Sequence, residues 1–503
     1  MKGVAEGYRY FQESSPTFSG AFEGDSYINS IVKEIDELSN GINKFEGFNT
    51  NDLQLKGNIA EFWHSGTHNI DSAVKGMKTR TSVNSSNEFA SADISSSTGE
   101  EFGLKYYADG ISSSKAQAKS YFERYNEYRS SSNADISFDE YLDERNINTD
   151  DVLVHDPIYS GQIRIIPKDQ MDEAIGWLQK KIASEQSIRP EQVERYQETL
   201  RLLKDAVETE EGATSIPISA NEAERLAKLA KEGEFDPSKY NLTTEELVSF
   251  RLIMQQSVQA GLTAATISLV LKVAPQVYKS IEYLIQNGEI DEKQLKQAGF
   301  AALSGFSAGF VRGTVAAALT SSFKSGIFGQ SLKSIDPPVI GAVTVIFMNV
   351  MKNSCEVACG RMSNREMINE MIKDMYISAF ALTAGGITQS IIEIPVLGYM
   401  LGSFVGAMVG GITYEYGYSK LISFCVESGF TVFGLVDQDY RLPEEVIEQL
   451  GFDLYELDQL VLDEYKQDEF ELDSFDLDEV ELDEIQLVFV RRGVIGFNRI
   501  GYI

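Results

Sequence analysis

Residues 92–107 read ADISSSTGEEFGLKYY. Two short runs, FASADIS and EFGLKYY, flank Thr98 and Gly99, residue types that favour turns, so the stretch reads as a β-hairpin. In an antiparallel pair, directly opposed residues project to one face. A three-residue loop, Ser97 to Gly99, opposes Asp93 to Gly103 and puts Asp93 and Lys105 on the same face. A loop of Thr98 and Gly99 alone opposes Asp93 to Leu104 and separates them. The hairpin is thus either a charged surface ribbon or one wall of a site.

Outward from the hairpin the pattern is orderly. DLQLKGNIAEFWHSGTHNIDSAVKG reads as a helix at least through Trp63, and TRTSVNSS is strand-like. ISSSKAQAKSYFERYNEYR reads as a helix, and IYSGQIRIIP, after an acidic insertion, as another strand. The order is α-β-β-β-α-β. Over about residues 51–170 it resembles the common core of the restriction-endonuclease-like, PD-(D/E)xK nucleases. The resemblance implies an acid on the second strand at Asp93, a lysine on the third at Lys105, and a glutamate on the first helix at Glu61. It also implies Mg²⁺ and a nucleic-acid substrate. One position departs. The residue two before Lys105 would be Glu, Asp or Gln, and here it is Gly103. Strand alternation puts Glu101, Gly103 and Lys105 on one face, so Glu101 is the expected substitute. Glu61, Asp93 and Glu101 are then the expected metal ligands. Mg²⁺ takes oxygen ligands and retains waters, activates a bound water, and leaves the lysine to steady charge at the phosphate.

A rival site overlaps the first helix. Glu61, His64 and His68 have E-x-x-H-x-x-x-H spacing, three metal-ligating types on one helical face. Gly66 between the histidines is a candidate helix end, and buried histidines often serve packing instead. Ser112-x-x-Lys115 reads as a helix start and Cys355-x-x-x-Cys359 as core. No P-loop or G-x-G-x-x-G is present.

The chain of 503 residues is expected to hold several domains. Residues 1–50 read as a helical or irregular lead-in, 51–185 as the α/β unit and 186–255 as a charged helical connector. Residues 256–434 are an apolar, Gly- and Ala-rich helical domain, and 435–503 an acidic tail. The expected class is α+β multidomain. Glycine recurs at every fourth residue at Gly305, Gly309 and Gly313, and again at Gly398, Gly402, Gly406 and Gly410. Each Gly costs a helix about 1 kcal/mol against Ala, so such stripes imply close approach of another backbone. Residues 396–414 carry no charge for 19 positions, a length that crosses a bilayer core. A soluble bundle and an inserted one remain alternatives.

The tail repeats with period five from 455 to 487, YELDQ LVLDE YKQDE FELDS, and is expected to be an extended spacer. Between Asp437 and Glu484 stand 20 acids and two bases, a net of −18 out of the chain's −32. Such a chain repels phosphate backbones unless a local basic patch overrides the repulsion. Three cysteines, Cys355, Cys359 and Cys425, give no disulfide framework, and the N-terminus has no apolar signal core. The expected location is cytoplasmic, with membrane association through 256–434.

Two functions follow. In the first, a Mg²⁺-dependent nuclease is joined to a membrane-associating or oligomerising helical domain, as in a phage-defence effector or toxin. Homo-oligomers would form through the Gly-xxx-Gly helices, and the acidic tail would meet a protein partner or mimic nucleic acid. In the second, the helical domain is a pore or docking bundle, and the α/β unit is an inactive recognition domain.

Overall fold

A computed structural model describes residues 2–249 apart from 46–50, 85–87, 133–134 and 149–152. It also describes 309–363 apart from 328, 331–332 and 359, with a few single positions on either side. Gln12–Ala274 and Ser307–Thr344 form one compact unit, and Met1–Phe11, Pro275–Phe306 and Val345–Ile503 form another. The second glycine stripe, residues 396–414, Cys425 and the tail lie outside the described residues.

The first unit is α+β, with many helices around one small mixed sheet. Its elements are α1 (Lys2–Asn43, of which residues from Gln12 on belong here), α2 (Asp52–Val74), β1 (Thr81–Val83), β2 (Ile94–Ser96) and β3 (Glu101–Leu104). Then come α3 (Gly110–Gln117), α4 (Tyr121–Ser132), α5 (Phe138–Asp143), β4 (Ile163–Ile165), α6 (Met171–Ile188), α7 (Val193–Leu202) and β5 (Leu203–Lys204). The helices α8 (Ala220–Glu232), α9 (Thr244–Leu247) and α10 (Gly309–Ser325) follow, and α11 (Pro337–Ala358) starts in this unit.

The strands lie in the order β1-β2-β3-β4-β5. The first three form an antiparallel meander, and β4 and β5 add in parallel. The hairpin takes the register of the three-residue loop: Ile94 pairs with Phe102, Ser95 with Glu101, and Ser96 N–H donates to Glu100 O at 2.9 Å. Gly99 makes the turn with φ of 100°, a conformation Gly adopts at little cost.

Alternation then sorts the faces. Thr81 turns toward α2, where its hydroxyl meets Ser65 and Asn69 at 3.1 Å. Ile94 and Phe102, buried on that same face, supply the core under the helix. α2 buries Leu55, Ile59, Trp63 and Ile70 at helical spacing, and its back is covered by α8 through Ala223, Leu226, Ala227 and Ala230. α8 is set by a capping box between Ser219 and Glu222 and stopped by Gly233 with φ of 68°. The opposite sheet face carries Gly103 and Arg164, which meet α3 through Gln117 and α7 through Thr199.

Several expectations change. The α/β unit does not end at 185, because β5 joins the sheet and α8 packs on α2. The helix expected over 111–129 is broken at 118–120, where Ser120 bridges Pro157 and Asp109, not a serine, caps α3. Gly66 does not end α2. It lies where a Cβ would come within 2.6 Å of Leu38, so it admits α1. The described part of the first glycine stripe finds its partner inside the chain. A Cβ on Gly20 of α1 would collide with the Gly313 carbonyl oxygen, and one on Gly24 with that of Ala317. Among the described residues no helix is long and apolar enough to cross a membrane.

Candidate active site

β2 begins beyond Asp93, and its departure from β3 frees a backbone donor. Leu104 N–H donates to Asp93 Oδ2 at 2.6 Å, and Lys105 Nζ donates to the same oxygen at 3.2 Å. The expected pair is therefore brought together, with both side chains largely withdrawn from solvent. The Lys105 ammonium also lies 4.8 Å from the centre of the Tyr159 ring, whose face attracts cations. Burial alone would pull this lysine's pKa down. Tyr159 and the Asp93 carboxylate outweigh it, and the net direction is up, so the cation is held.

Glu61 reaches the same field from α2. Burial first, then the Asp93 charge, push its carboxyl up to about 8, against an opposing pull from Lys105. At neutral pH the Glu61 carboxyl therefore favours its protonated form.

Glu101 does not join this group. It is exposed on β3, and the charges acting on Glu61 are those of Asp93 and Lys105. The space beside Gly103 is filled instead by Gln162, whose Oε1 stands 2.8 Å from where a Gly103 Cβ would be. Gln162 and Arg164 were not singled out from the sequence. Their signal is two polar residues at alternate positions in GQIRIIP, an otherwise apolar strand. Arg164 is fully buried. Its guanidinium donates to Tyr159 O at 3.3 Å, pairs with Glu198 at 3.3 Å and bonds Thr199. Desolvation pulls it down to about 10, so it remains charged. Glu198 also accepts from Gly161 N at 2.9 Å, and this network fixes the turn that presents Tyr159 and Gln162.

The histidine alternative is spent on packing. His64 bonds Ser215 Oγ and Tyr106 OH at 2.7 Å each, and His68 bonds Thr209 Oγ1 at 3.1 Å and Asn69 Oδ1 at 3.4 Å. Burial drives His64 down to about 3, so it is neutral with both ring nitrogens engaged. Among the described residues no three His, Cys, Asp or Glu side chains gather as a ready metal cage. Mg²⁺ asks for less: one or two carboxylates, other oxygens and waters. Glu61 and Asp93 are two carboxylates of that kind in one electrostatic field.

A cleft of about 800 Å³ opens beside the turn, lined by Ala90, Tyr159, Arg124, Arg145, Glu88 and Glu144 among others. Arg145 is stacked against aromatic rings, 3.7 Å from the centre of Tyr141 and 4.7 Å from that of Tyr128. Two guanidinium groups and two carboxylates share the rim, and both arginines are ion-paired, Arg124 with Glu127 at 3.1 Å and Arg145 with Glu144 at 3.4 Å. No protein-family model, curated protein or solved structure matches this chain.

Proposed function

We propose that the α/β unit is a Mg²⁺-dependent nuclease that hydrolyses phosphodiester bonds in nucleic acid. The observation that carries this reading is Lys105 Nζ on Asp93 Oδ2 at 3.2 Å, with Glu61 in the same field. The element order α2-β1-β2-β3-α3-α4-α5-β4 supports it, because with α4 and α5 taken as insertions it resembles the αβββαβ restriction-endonuclease-like core.

In this reading Asp93 and Glu61 hold Mg²⁺. The ion, when bound, lowers the pKa of a water and offsets charge on the phosphate. The Lys105 ammonium, held charged, steadies the attacking oxygen or a phosphate oxygen. Glu61 gives up its proton as the site fills. Arg124 and Arg145 hold the polyanion backbone in the cleft. The helical segment 256–434 would carry or gate the enzyme, by membrane association or by self-assembly, and the acidic tail would compete with substrate. Such an organisation would suit a defence effector or a toxin.

The test is cleavage of plasmid DNA and structured RNA by the full chain with Mg²⁺ or Mn²⁺. Metal-dependent cleavage should fall roughly 100-fold or more in both Asp93→Ala and Lys105→Ala. Wild-type rates in either folded variant, or cleavage unaffected by chelator, would remove this reading.

A further inference from the structure

Gly103 is the one position where the expected metal-binding pattern fails, and it is also where a foreign oxygen stands. Gln162 is buried, at 5% exposure, and its Oε1 has no hydrogen-bond partner. Its Nε2 donates to Ala90 O at 2.9 Å. A carbonyl cannot face a carbonyl, so this bond fixes the amide and turns Oε1 toward Gly103. Gln117 repeats the logic. Its Nε2 donates to Gly103 O at 2.7 Å and Ile165 O at 3.2 Å, which leaves its Oε1 unpartnered, 3.8 Å from the same Gly103 Cβ position. Two buried amide oxygens thus converge on one point with no protein donor for either. An unmet buried acceptor costs about 1–3 kcal/mol. A positive ligand offsets that cost.

The point is two residues along β3 from Lys105 and next to Leu104, whose N–H is held by Asp93. Gln162 follows the turn that begins at Tyr159, the ring beneath the Lys105 ammonium, and its N–H donates to Tyr159 O at 3.2 Å. We infer that Gln162 Oε1 is the oxygen ligand for a divalent cation that the third strand does not supply, with Gln117 Oε1 facing the ion's water shell. The ligand position has moved from β3 to the residue preceding β4. Glycine at 103 is the counterpart of that move, since any Cβ there would meet the amide. This inference rests on the nuclease reading for the identity of the other ligands, Asp93 and Glu61.

The experiment measures Mn²⁺ binding to the full chain by electron paramagnetic resonance, alongside cleavage and thermal unfolding. Weak Mn²⁺ binding by the acidic tail is common to all variants, and the site is the component that Asp93→Ala removes. Gln162→Leu should weaken that component about tenfold or more. Gln162→Glu, of nearly the same shape, should tighten it. Gly103→Glu combined with Gln162→Ala should recover what Gln162→Ala alone loses. Unchanged affinity in folded Gln162→Leu and Gln162→Glu, with Asp93→Ala still abolishing binding and cleavage, overturns the inference and leaves the nuclease reading standing. A component that responds to Gln162 as stated, with neither nucleic acid cut, supports the cation site and removes the nuclease. No Mn²⁺ component sensitive to Asp93 overturns both.

Discussion

Glu61 carries a clear pH signature among the described residues. Its carboxyl is raised from the ordinary carboxylate range to about 8 by burial and by Asp93. An acid raised in this way prefers the protonated form when folded. Its contribution to stability is full below its ordinary pKa and is lost as pH rises through 8. Glu61→Gln should therefore flatten the fall in unfolding free energy between pH 5 and pH 9, on the order of 1–3 kcal/mol after allowing for its partial exposure. Urea titrations of both proteins across that range check it, and parallel curves would refute it. Asp93 and Lys105 were legible because a hairpin is local: turn chemistry and alternation fix which side chains meet. That Glu101 stays exposed while Gln162 stands beside Gly103 was not legible, for the opposite reason. The β3–β4 pairing joins Phe102 to Ile163 across 61 positions, and no local period records it.

Among the elements, glycine divides into two kinds by what surrounds it. In α1, Gly20 and Gly24 touch backbone oxygens of α10, so a methyl group at either forces the helices apart. Gly20→Ala and Gly24→Ala should each cost about 1–3 kcal/mol. Gly57 in α2 and Gly176 in α6 face open space, and alanine there should add up to about 1 kcal/mol. Four chemical denaturation curves decide between these signs, and a common sign would sink the distinction. A glycine stripe announces that some backbone comes close, yet small residues carry no label for the partner. That is why the stripe at 309–313 was legible as a groove but not as a groove for α1. β5 was illegible for a simpler reason, since two residues have no period. The break at 118–120 depends on Ser120 pairing with Pro157, a contact across the insertion that helix propensity does not encode.

For the molecule as a whole, charge sets the terms of any encounter with nucleic acid. More than half of the chain's −32 lies between Asp437 and Glu484, while the cleft beside Tyr159 is lined by Arg124 and Arg145 together with Glu88 and Glu144. Repulsion from the tail is long-ranged and falls away within about 10 Å at 0.1 M salt. If the cleft holds nucleic acid as proposed, those contacts weaken with salt by counterion release. On the nuclease proposal, cleavage by the full chain should therefore rise from low to moderate ionic strength and then fall. Charge-neutral replacement of the tail acids should leave only the fall. A monotonic decline in both would show that the tail does not oppose substrate. A last consequence concerns how such a chain is made. Gly20 and Gly24 emerge from the ribosome early, but Gly313 and Ala317, which cover them, come almost 300 residues later. At about 5–20 residues per second that interval is on the order of 15–60 s. Throughout it the first helix has no companion for its bare face, so the sheet, its carboxylates and its lysine are all synthesised before the unit that contains them can close. A nascent or prematurely released chain therefore carries every residue of the candidate site on a scaffold that lacks one of its helices.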